Sequence, residues 1–87
     1  MKITHLIADA FALVEAGGFM VGTIRVNPSD LALIQGSDQF SQENGRLWTA
    51  AVIADQTVEA GTFVTGEMNP KTLKVEKEST HSLCLPN

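Results

Sequence analysis

Cysteine occurs once, at position 84, so an internal disulfide is excluded and the thiol fits a reducing compartment. Cations are few: six Lys and Arg stand against ten carboxylates, giving a net charge of −4, and they form no run. A phosphate backbone or an anionic membrane surface is recognised by clustered cations, so neither nucleic acid nor membrane is an expected partner. Long apolar runs are also missing. Nothing approaches the roughly 20 consecutive apolar residues of a membrane helix, and the first residues lack a signal-peptide core and cleavage site, which reads as a protein that is not secreted. The motifs that announce common chemistries are absent too: there is no Gly-x-Ser-x-Gly turn, no phosphate-cradling Gly-x-x-x-x-Gly-Lys and no His-Glu-x-x-His helix. The glycines at 17, 18 and 22 do not have dinucleotide-fingerprint spacing and precede a strand.

What is present is an ordinary globular composition, 44% apolar and 18% charged, which is too apolar for a disordered chain. At 87 residues the chain is one domain with a thin core, since folding at this size buries only about 60–65% of the unfolded surface. Apolar residues recur at helical spacing from Ile3 to Val14, Thr4 offers a cap, and Gly17-Gly18 stop the helix. Thr23 to Val26 reads as a β-branched strand bounded by Gly22 and Asn27-Pro28. Asn27 as cap, Pro28 in the first turn and Asp30 facing the free amides predict a second, short helix from Pro28 to Gln35, ended by Gly36. A polar loop, Gly36 to Gly45, comes next. Strands are then expected over Leu47–Ala54, Thr62–Met68 and Lys71–Glu78, the last as an edge strand with Leu73 and Val75 inward and charges outward. The order argues α+β: two helices on a mostly antiparallel or mixed sheet, with a domain over 1–78 and a patternless tail over 79–87.

Several residues invite chemistry. His81-x-x-Cys84 supplies two zinc-type ligands, but a structural site takes four and only His5 remains, so no metal is expected. A Cys84–His nucleophilic dyad would need a base in reach, a third orienting group, which Asp9 could supply with His5, and oxyanion donors, and nothing in the sequence demands such a set. Asp30, Asp38 and Glu43 lack the alternate-residue spacing of a calcium loop. The reading is therefore non-catalytic, without cofactor or small-molecule substrate. Aromatics are five. Phe11 and Phe63 fall on apolar faces and belong in the core. Phe40 sits in the polar loop, where it either anchors a partner or tucks back to seal the loop, and Trp48 beside Asn44-Gly45 packs over the core edge or enters an interface. Gln39, Phe40 and Trp48 are the candidate interface residues.

Three segments taken in order carry a resemblance: Ile24-Arg25-Val26-Asn27-Pro28-Ser29-Asp30, then Leu47-Trp48-Thr49-Ala50-Ala51-Val52-Ile53, then Ala60-Gly61-Thr62-Phe63-Val64-Thr65-Gly66-Glu67-Met68. They resemble the axial domain of tailed-phage major capsid proteins of the Hong Kong 97-type fold. In that family a strand ends in an Asn-Pro-x-Asp helix start, and a Trp-Gly-x-x-Val-Val strand and an Ala-Gly-Thr-x-x-Val-Gly strand follow. Leu73 to Ser79 is similar to the family's next, Val-Glu-x-Ser strand. Thr49 and Ala50 depart from the family's Gly and its neighbour. The resemblance implies a structural role among phage capsid subunits or through self-association, in a virion or a host cytoplasm. The family's N-terminal arm, extended loop, spine helix and completed peripheral domain have no counterpart in these residues, so other chains are expected to supply the rest of any shell. That leaves three readings: a remnant or excised capsid domain, a capsid-assembly modulator, or a small cytoplasmic adaptor unrelated to virions.

Overall fold

A computed structural model describes residues 3–83. Helix α1 (Ile3–Ala16) forms where the sequence places its apolar spacing, and Ile7, Ala10, Phe11 and Val14 are its buried stripe. Thr4 is not the cap expected of it: it lies inside the helix and is buried. The helix closes as glycine permits, with Gly18 at φ +88° and the amides of Gly17 and Phe19 both donating to the Val14 carbonyl.

Strand β1 (Met20–Val26) starts three residues earlier than expected. Gly22 does not bound the strand. It occupies a bulge between Val21 and Thr23, where a Cβ would come within 3.1 Å of the Met68 sulfur. Asn27 then caps a 3-10 turn (Pro28–Asp30) that leads into α2 (Leu31–Gln35). Its Oδ1 accepts from the Ser29 amide at 2.9 Å, and its Nδ2 donates to the Val58 carbonyl at 2.9 Å. Asp30 departs from its expected role, since its carboxylate accepts from the Gly61 amide at 2.7 Å instead of facing its own helix. Both side chains of the Asn-Pro-Ser-Asp turn thus fasten the distant 55–61 connection over the helix start.

The expected loop from Gly36 to Gly45 is partly a ribbon. Strand β2 (Phe40–Ser41) pairs with β3 (Arg46–Leu47), and β3 reverses into β4 (Ala50–Ala54). The single strand expected over Leu47–Ala54 is therefore broken at Trp48-Thr49. Strand β5 (Thr62–Met68) lies where the sequence places it. The last strand does not: β6 runs from Val75 to Ser82. Its shift follows from a turn in which the Asn69 amide donates to the Lys74 carbonyl and the Leu73 amide to the Asn69 carbonyl, leaving Leu73 at φ +59° and 67% exposed. Leu73 is not an inward strand residue, and Val75 is exposed as well. The tail expected from residue 79 is likewise strand through Ser82, followed by a buried Leu83.

The result is an α+β fold with a six-stranded mixed sheet in the order β2-β3-β4-β1-β5-β6, in which β1 and β4 run parallel and the other pairs antiparallel. The helices share one core with Val21, Ile24, Val26, Leu47 and Phe63. Alternation sends the row Ile53, Arg25, Val64 and Thr80, neighbours across four strands, to the opposite face. No helix among the described residues is long and apolar enough to cross a membrane.

Candidate protein interface

Leu47 and Ala50 face each other across β3 and β4, so only Trp48 and Thr49 make the turn. Two-residue hairpin turns need a left-handed backbone at the first position, which glycine ordinarily supplies. Here Trp48 supplies it at φ +53°. The positive φ does not fall on Thr49, so the missing glycine at that position costs the turn nothing. Thr49 instead donates its hydroxyl to the Val21 carbonyl at 3.1 Å, and Arg46 donates to the Thr49 carbonyl at 2.9 Å, which pins the turn to the sheet.

A large side chain on a strained backbone persists only where its surroundings hold it. Trp48 is held twice. Its indole N–H donates to Gln39 Oε1 at 3.3 Å, and its ring meets Phe11 edge to face, centroids 5.2 Å apart and planes at 77°. It is nevertheless 39% exposed. Ala8, Ala12 and Glu15 of α1 complete a shallow groove of about 300 Å³ along Phe11, Trp48 and Thr49. Small alanines let a partner approach the helix closely, the two rings form an apolar floor, and Glu15 offers a carboxylate at the rim.

Of the three residues singled out from sequence, Gln39 and Trp48 come together. Phe40 goes elsewhere: it pairs with Leu47 in β2–β3 and packs half-buried against the core, so it tucks back to seal the loop. Phe11, Ala8, Ala12 and Glu15 were not legible as groove residues, because helical spacing shows that Phe11 faces inward but not which ring it meets.

The other chemistry-bearing residues are dispersed. His5 and Asp9 lie exposed one turn apart on α1, and Cys84 lies outside the described residues. His81 is not in a tail but in β6, stacked on the fully buried Phe63 at 4.9 Å, with Nε2 3.0 Å from the Thr65 hydroxyl. Burial lowers its pKa, against an opposing pull from Glu67. On the opposite face Arg25 joins Asp55, at 2.6 Å, to Glu78. The Thr57 hydroxyl and amide, then Arg25, hold the Asp55 carboxyl at about 2. Among the described residues no three His, Cys, Asp or Glu side chains gather as metal ligands.

Comparison with protein-family models, with curated proteins and with solved structures gives no match for this chain. The geometry of the groove and the ordered segments of the sequence are thus what a functional reading rests on.

Proposed function

We propose that this chain is a non-catalytic structural module of the phage capsid axial-domain kind, which binds capsid subunits through the Trp48 groove, in a virion or a host cytoplasm. The observation that carries the reading is Trp48 itself: an indole kept half in solvent on a left-handed backbone, with Gln39 and Phe11 fixing its orientation. A pre-oriented aromatic loses little freedom on binding, and such residues dominate protein interfaces. The family resemblance supplies the partner class. The Asn27 and Asp30 hydrogen bonds give the Asn-Pro-Ser-Asp segment a physical reason to occur together with the Ala60-Gly61-Thr62 segment.

Size-exclusion chromatography with light scattering, on the chain alone and mixed with a tailed-phage major capsid protein, tests this. Co-elution is expected, and Trp48→Ala should weaken it by about 2 kcal/mol, the scale of an interface hot spot. A folded Trp48→Ala variant that co-elutes unchanged would remove the groove from the interface, and no co-elution of the unsubstituted chain would sink the capsid reading.

A further inference from the structure

Two local rules are broken where α1 meets the Trp48 turn. The first is the left-handed backbone of Trp48 itself. The second is electrostatic. The C-terminal end of a helix carries a partial negative charge that basic side chains ordinarily complement, yet the last turn of the 14-residue α1 holds no basic residue and holds Glu15 instead. Among the described residues the Glu15 carboxylate has neither an ion pair nor a hydrogen-bond partner. The Arg46 guanidinium is bound to the Thr49 carbonyl at 2.9 Å and forms no ion pair with Glu15. Departures from local rules gather at functional sites, and these two line one groove.

Ala8, Ala12 and Glu15 form one stripe of α1, about 10 Å long at 1.5 Å per residue, with Phe11 and Trp48 as the apolar floor beside it. The carboxylate thus stands at one end of an apolar trough, and it is the only charged side chain among the lining residues. The indole N–H is already given to Gln39, so an incoming group meets ring surface. A side chain with an apolar stem and a cationic tip satisfies each part, its stem over the alanines and its charge on the ring and the carboxylate. Because Arg46 occupies the Thr49 end, the tip belongs at the Glu15 end. A guanidinium suits the pair better than an ammonium, since its plane stacks on an aromatic face while its forked N–H groups meet a carboxylate. An anionic side chain would meet both Glu15 and the negative helix end, and an apolar one would cover Glu15 unpaired.

We propose that the Trp48 groove takes an arginine side chain of the partner protein, its guanidinium held between the Trp48 indole and the Glu15 carboxylate. This rests on the groove being the contact surface of the proposed function, and adds the chemistry that the groove recognises. Glu15 sits at the helix end at a cost to the free chain, and the bound arginine relieves that cost. The net charge of −4 favours the approach of a basic surface in the same sense.

Trp48 is the only tryptophan of the chain, so its fluorescence reports on the groove directly. Titration of the full chain with N-acetyl-arginine amide should give a saturable change, and N-acetyl-citrulline amide, similar in shape but uncharged, should bind about fivefold more weakly. Glu15→Gln should weaken arginine binding about threefold and Glu15→Lys should abolish it. Both variants should keep or raise the urea midpoint, since each removes a carboxylate from the negative end of the helix. Equal binding of the two probes would mean an apolar occupant and overturns the proposal, as does an absence of saturation, or arginine binding unchanged in Glu15→Lys. Size-exclusion chromatography with the capsid protein separates this inference from the capsid reading. Co-elution that Trp48→Ala weakens and Glu15→Lys leaves intact keeps the capsid reading and overturns the arginine site. Probe binding that depends on Glu15, without co-elution, supports the arginine site and sinks the capsid reading.

Discussion

The two ends of the sheet meet the problem of an open edge in different ways. At one end the strands are two residues long, β2 and β3, and a tryptophan on a strained turn clasps Gln39 and leans on Phe11 of the helix. At the other, an eight-residue strand lies almost wholly exposed, with its charges folded back onto the sheet. The first end offers little backbone but much aromatic surface; the second offers backbone and little apolar area. A partner reading the first would recognise side-chain shape, and a partner reading the second would recognise strand geometry.

Leu47→Ala should break this contrast most severely. Leu47 is fully buried in β3 beneath the Trp48 turn, and truncating such a residue costs about 2–5 kcal/mol, against the roughly 5–15 kcal/mol typical of a whole domain. Urea denaturation should show the loss, and with it the exposed tryptophan end should lose its geometry. Gly66→Ala strikes beneath the other end. A Cβ there would overlap Thr23 Oγ1 and come 3.3 Å from Val75, and Thr23 is β-branched and turns away poorly. Overpacking of this kind costs about 1–3 kcal/mol, and each kcal/mol lowers the melting temperature of a domain this size by about 4–8 °C. Unchanged melting would mean that β6 yields easily.

How far each end was legible follows from how local its signals are. Helix α1, with its 3.6-residue spacing and paired glycines, and β5, bounded by Gly61 and Asn69-Pro70, are written in neighbouring residues, and so is the Asn27-Pro28 helix start. The Trp48-Thr49 reversal is not, because neither residue is an ordinary turn former and the left-handed backbone is imposed by pairing on both sides. The alternation of Leu73, Lys74, Val75 and Glu76 resembles a strand, but hydrogen bonds closing on Asn69 draw Leu73 into a turn and push the strand toward the C-terminus. Of the three residues singled out from sequence only Trp48 lines the groove, with Gln39 reaching it through the indole hydrogen bond. The contacts that shape it, Phe11 with Trp48 above all, join residues far apart in sequence.

Backbone strain at Trp48 can be separated from side-chain packing by comparing two truncations. Both Trp48→Ala and Trp48→Gly lose the contact with Phe11, about 0.5–1.5 kcal/mol beyond the area buried. Only glycine is freed of the left-handed penalty, about 1–2 kcal/mol for other residues, and its own entropic cost is about 0.5–1 kcal/mol. Trp48→Gly should therefore be the more stable variant by up to about 1.5 kcal/mol in urea denaturation. The reverse order would show that the turn is unstrained.

The smallest effect belongs to the β6 end and is read in pH. His81 has its pKa lowered in the folded chain, chiefly by burial against Phe63, so the unfolded chain takes up a proton first as pH falls. Stability is then fully present above the ordinary histidine value, about 6.5, and declines as pH drops below it toward the folded value. Asp55 acts in a separate window: its folded value of about 2 lies under the ordinary aspartate value of 3.8, so its contribution is complete above that value and is lost only as pH falls through the interval between them. Urea midpoints at pH 8, 6 and 5 should fall for the unsubstituted chain by a modest amount. His81→Phe keeps a ring over Phe63 and removes the titrating group, so its decline across the same range should be shallower. An equal decline in the variant would assign the pH dependence to residues away from β6, and would leave the Phe63–His81 stack as packing alone.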